Sequence, residues 1–145
     1  MSFEDERESL ESRFNTRWAT YTTSADVPIA WDNVEYAPAT GTTFVRFSVY
    51  PGDAYQVSLG SRPLHRTVGI IDIGIFVPQG QGTKNAKDLA DIAAEIFRNW
   101  QDSTNKIRCR SPYLTRVGEE EGWFQMNVTV PYIRDELFAL SLIHI

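Results

Sequence analysis

Cys109 is the chain's one cysteine, and it stands between Arg108 and Arg110. Flanking guanidinium groups lower a thiol pKa and can make a nucleophile of it. On a strand, however, both arginines would point to the face opposite the sulfur, so Cys109 reads as a small core residue. Metal chemistry has little to work with. The two histidines, His65 and His144, lie far apart, and no CxxC or HExxH spacing occurs. No metal, no cofactor and no catalytic residue is expected. Gly80-Gln81-Gly82-Thr83-Lys84 follows an apolar run and opens a helical one, where a phosphate site could form. The Walker pattern needs Lys before Ser or Thr, with a first glycine five residues ahead of the second. Here Thr83 precedes Lys84, and the antecedent glycine fails. Asp26, Asp32 and the run Glu119-Glu120-Glu121 sit in polar stretches without an apolar setting to raise a carboxyl pKa.

One charge pattern is sharper. Lys106, Arg108 and Arg110 alternate, Arg116 follows, and no acidic residue falls between Thr104 and Arg116. Alternation puts the first three on one strand face. They read either as charges guarding an edge strand or as a face that meets an acidic partner. Glu119 to Glu121 are the acidic counterpart. Arg62, Arg66 and Gln81, beside Gly/Pro-rich breaks, are the remaining candidates for contact with a neighbour.

These residues belong to a chain of 145 residues with 14 Lys+Arg, 19 Asp+Glu and a net charge of −5. The length suits one domain spanning 1–145, with 136–145 as a terminal extension. Ordinary apolar content excludes disorder throughout. The acidic balance argues against a module that grips nucleic acid. No apolar run of about 18 residues is present, the acidic N-terminus does not resemble a secretory signal, and synthesis in the cytoplasm is expected.

Periodicity supplies the elements. Phe3, Leu10, Phe14, Trp18 and Tyr21 line one stripe of a helix ending near Thr22. Ile29 to Trp31 is a short strand. Thr42 to Tyr50 is a strand, Pro51-Gly52-Asp53 a turn, and Tyr55 to Leu59 its hairpin partner. His65 to Val77 is the longest strand, apolar on both faces. Ala86, Leu89, Ala90, Ala93, Ile96, Phe97 and Trp100 define an amphipathic helix, with Thr83 or Asn85 as cap. Lys106 to Arg110 is a strand, Ser111 to Glu121 a loop, and Gly122 to Ile133 the last strand. The order implies an α+β two-layer sandwich: an antiparallel sheet with the N-terminal and central helices packed on one face.

With these elements placed, the chain resembles a known family. Ala30-Trp31-Asp32-Asn33-Val34, Val45-Arg46, Arg66 with Gly69, Ile75-Phe76-Val77-Pro78, Gly80-x-Gly-Thr and Leu89-Ala90-Asp91 recur in order. Gly122-Trp123-Phe124-Gln125 and Val130-Pro131-Tyr132 complete the series, over roughly residues 5–133. Together they are similar to the tail terminator proteins of long non-contractile-tailed, lambda-like bacteriophages. That resemblance implies a structural virion protein rather than an enzyme, made in the host cytoplasm and incorporated at the neck region of the tail. It implies a ring, usually hexameric, at the head-proximal end of the tail tube. The ring would stop tube polymerisation and give the head–tail connector a docking surface. Genomic DNA would pass through its lumen without specific binding, and no membrane is involved. The alternatives left open are a neck or head-closure protein and a small cytosolic ligand-binding domain or enzyme.

Overall fold

The computed structural model describes residues 3–21, 27–38, 42–60, 63–80, 82–102 and 106–137. Nine elements follow one another: α1 (Phe3–Tyr21), β1 (Ile29–Trp31), β2 (Phe44–Gln56), β3 (Leu64–Pro78), α2 (Lys84–Phe97), β4 (Gln101–Asp102), β5 (Ile107–Cys109), β6 (Tyr113–Glu120) and β7 (Trp123–Leu137). The strands form one sheet in the order β1-β2-β3-β7-β5-β4, with β6 also pairing β7. The fold is α+β, as the order of elements implies. The sheet is antiparallel except at its edge, where β1 lies parallel to β2, with Ile29 opposite Val45.

The inner face is the one the helices cover. Alternation delivers Val45 and Phe47 from β2, Ile71, Ile73, Ile75 and Val77 from β3, and Met126, Val128, Val130 and Tyr132 from β7 to one continuous core. α1 contributes Leu10, Phe14 and Trp18, while Phe3 at its start stays exposed. α2 contributes Ala86, Leu89, Ala90, Ala93, Ile96 and Phe97. Phe14 joins the layers, stacked on Phe47 with centroids 4.8 Å apart and on Phe97 at 6.2 Å. Thr83 occupies the N-cap position of α2, but its side chain makes no capping bond. Its carbonyl accepts from Lys87 N–H at 3.0 Å. Gly69 is required by the core: a Cβ there would lie 2.6 Å from the Tyr132 ring.

Four local expectations change. Pro51-Gly52-Asp53 is no turn. β2 runs through it to Gln56, and the register slips between Pro51 and Ala54, so the segment is a bulge inside one long strand. The true hairpin connection follows Gln56. Ser111 to Glu121 is no loop either. Tyr113 to Glu120 is strand β6, and Glu121 and Gly122, both at positive φ, make a two-residue hairpin turn into β7. The strand expected at Lys106 to Arg110 shortens to Ile107–Cys109, because Lys106 takes a left-handed turn conformation. β7 extends to Leu137, which places residues 136 and 137 inside the sheet. Residues 138–145 of the proposed terminal extension lie outside the described residues.

A buried ion pair fixes α1 against the end of β7. Glu6 is 2% exposed and accepts from Arg134 Nε at 3.0 Å; Arg134 is 4% exposed. Arg134 also donates to Glu136 at 2.9 Å, and its guanidinium lies 5.7 Å from the centre of the Phe3 ring. Removing one partner of such a pair strands a buried charge. Glu6→Ala should therefore cost about 3 kcal/mol in urea unfolding. The double variant Glu6→Leu/Arg134→Met should recover much of that loss. Equal stability of Glu6→Ala and the parent chain would show that the pair does not hold the helix.

Candidate functional site

Among the described residues no helix covers the outer sheet face, and its two ends differ in charge. Register builds the basic end. Arg66 on β3 pairs with Asp135 on β7, and Arg108 on β5 pairs with Ile133. Arg66 Nε donates to Asp135 Oδ1 at 2.9 Å, and Arg108 donates from Nη2 to Asp135 Oδ2 at 3.0 Å. That carboxylate holds the Arg66 guanidinium above its ordinary pKa. The Lys106 carbonyl accepts from Asp135 N–H at 3.2 Å, and Arg110 N–H donates to the Pro131 carbonyl at 2.8 Å. Lys106, Arg108 and Arg110 are all exposed. Lys106 and Arg110 have no ion pair among the described residues. Four of the expected contact residues therefore converge on one end, around an aspartate that the sequence did not single out.

The acidic end lies at the opposite tip of β7. The Glu121-Gly122 turn brings Glu119 and Glu121 beside Gln79, whose side-chain amide donates to Glu119 Oε2 at 2.8 Å. Glu120 pairs with Trp123 through the backbone. These glutamates border a cavity of about 400 Å³ whose apolar wall is Phe44, Phe76, Val117 and Trp123, with Arg46 also at its edge. Phe44 stacks on Phe76 at 4.6 Å, and Trp123 meets Phe44 edge-on at 5.7 Å. This pocket is built from four strands, β2, β3, β6 and β7. Twelve residues of β7 separate Trp123 from Asp135, about 40 Å of strand. Arg62 and Gln81 lie outside the described residues.

Between the ends, Asp72 sits in a row with Ser48 and Thr129. Its Oδ1 is buried with no hydrogen-bond partner among the described residues, and burial raises its pKa above the ordinary 3.8. The raised value means that ionisation opposes folding. Its stabilising share is present below the unfolded pKa and is lost as pH rises through the folded one. Asp72→Asn should raise the melting temperature at pH 7 by about 3 °C, with the gain vanishing as pH falls below 3.8. A gain that persists in acid would assign the effect to packing instead.

The remaining candidates for chemistry resolve as structure. Cys109 is half-buried against the core, and burial pushes its thiol pKa up to about 12. Thiolate is thus scarce at neutral pH, and alkylation by iodoacetamide at pH 8 should run at least tenfold slower than for a free thiol of ordinary pKa; labelling at the free-thiol rate would contradict this burial. Lys84 pairs with Asp88 on its own helix at 2.8 Å, not with a phosphate cradle. Among the described residues no three His, Cys, Asp or Glu side chains gather as a metal site. Among the described residues no helix is long and apolar enough to cross a membrane.

Comparison with known proteins agrees with this arrangement. No curated protein matches the chain. A solved structure superposes on 92% of this chain and 96% of its own length, with a TM-score of 0.71 at 20% identity. Likeness at that identity establishes the fold. The family model described as phage tail terminator protein matches residues 7–132. With most of its length covered by that match, the chain belongs to the phage tail terminator protein family, whose members are structural parts of the tail.

Proposed function

We propose that this chain closes into a ring, hexameric by the family resemblance, at the head-proximal end of the tail tube. There it stops tube polymerisation and presents the docking surface for the head–tail connector. The tube protein and the connector or stopper protein are its partners, and genomic DNA traverses the lumen without specific binding. A net charge of −5 suits such a passage, since an acidic wall repels phosphate.

The observation that carries the ring is the pair of unlike ends on one sheet face. A closed ring needs two different patches per subunit, each fitting the other. Arg66, Lys106, Arg108 and Arg110 form one, and Glu119 and Glu121 the other. In this reading the basic end of each subunit meets the acidic end of the next. Glu120, Arg62 and Gln81 stay interface candidates on the sequence alone.

The test is charge reversal. Lys106→Glu with Arg110→Glu leaves the Asp135 cluster intact and should shift the protein toward monomer in light scattering. Adding Glu119→Arg and Glu121→Arg should restore assembly. An unchanged oligomer in the first variant overturns the electrostatic contact. Tails assembled without this chain should run past their normal length in electron micrographs; tails of unchanged length would overturn the terminating role.

A further inference from the structure

We infer that the tip of the β2–β3 hairpin of one copy inserts Leu59 into the Phe44–Phe76–Trp123 pocket of the next copy, as the apolar centre of the ring contact. This inference rests on the ring reading above and names the residues at its centre.

The hairpin tip is an apolar knob with nothing over it among the described residues. Leu59 is 91% exposed, and Tyr55 and Val57 behind it are also exposed. An isolated exposed leucine is unremarkable, but this one follows directly on a hydrogen-bonded hairpin base. Val57 N–H donates to the Leu64 carbonyl at 2.8 Å, Leu64 N–H to Ser58 Oγ at 2.6 Å, and Gln56 Nε2 to the Ser58 carbonyl at 2.8 Å. An ordered base reduces the backbone freedom lost on docking.

The hole lies at the other end of the same strands. Phe44 faces Phe76 at one end of the β2–β3 ladder, and Gln56 faces His65 at the other. The separation is about 40 Å of strand, so Leu59 cannot reach the pocket of its own chain. A copy placed head to tail can deliver it. Charge favours that placement over the inverted one. The knob shares its end of the sheet with Arg66, Lys106, Arg108 and Arg110, and the pocket rim carries Glu119 and Glu121. A parallel placement would set like charges together, whereas head-to-tail placement sets basic against acidic; the ring reading, which needs a contact that propagates, makes that placement heterologous. Apolar and ionic complementarity thus select the same neighbour and the same direction.

Cross-linking in assembled tails tests the contact. In a Cys109→Ser background, Leu59→Cys and Val117→Cys each place one thiol, at the knob and at the pocket wall. Tails built from an equal mixture of the two variants and treated with copper phenanthroline should yield the mixed disulfide dimer. The doubly substituted chain should yield a ladder of linked subunits, and Leu59→Cys alone should yield no dimer. Self-linking of Leu59→Cys, or rings seen by electron microscopy without the mixed disulfide, overturns the knob and leaves the ring standing. Absence of rings from tails of the parent chain overturns the ring and the knob with it. Separately, Leu59→Asp should lower the assembled fraction at least tenfold while the melting temperature of the free protein holds. Assembly at the parent level would also overturn the knob.

Discussion

Fifteen consecutive residue pairs join β3 to β7, and that ladder sets the proportions of everything around it. At the usual rise it is about 48 Å long. α1 and α2, with 19 and 14 residues, measure about 28 and 21 Å. Together they cover the inner face from Arg134 near one end to Val77 and Phe124 near the other. Tyr50, Ile70 and Tyr113 belong to the opposite face and remain in solvent, and Leu59 lies beyond the last β2–β3 pair. A monomer designed only to be soluble would shorten such strands. Here their length separates two unlike surfaces by the span of the molecule.

At the Arg134 end of the ladder, ionic contacts join the apolar ones. Glu6, Arg134 and Glu136 link α1 to the last turns of the ladder on the inner face. Asp135, directly between Arg134 and Glu136 in sequence, points to the other face and gathers Arg66 and Arg108. Alternation along a single strand thus sends one set of charges into the protein and the next outward. The inner set secures the helix. The outer set holds two guanidiniums in place, so the basic surface is organised before any neighbour arrives.

Much of this architecture was legible in residue order, because packing against one face leaves a period. Ile71, Ile73, Ile75 and Val77 announce a strand, and Ala86 to Phe97 announce a helix, since each set buries one side. Of the alternating Lys106, Arg108 and Arg110, only Arg108 lies on the strand, although all three side chains are exposed. β6 escaped notice because it is an edge strand with both faces largely in water, so its Glu-rich end carries no apolar period. The Pro51-Gly52-Asp53 segment misled because residues that favour turns also favour bulges. Asp135, the Glu6–Arg134 pair and the aromatic pocket were invisible for a different reason. The ion pairs join partners 27 to 128 positions apart, and the pocket joins four strands; such meetings are set by register, which local sequence does not state.

β5 and β6 lie end to end along the same edge of β7, joined only by Arg110, Ser111 and Pro112. The polar rims of both surfaces consequently ride on one short ribbon, residues 106 to 121, that spans the molecule from tip to tip. On the proposed ring contact, exchanging that ribbon between relatives would move Lys106, Arg108 and Arg110 together with Glu119 and Glu121 in one step, while Arg66, Leu59 and the aromatic pocket stayed behind on the recipient's own strands.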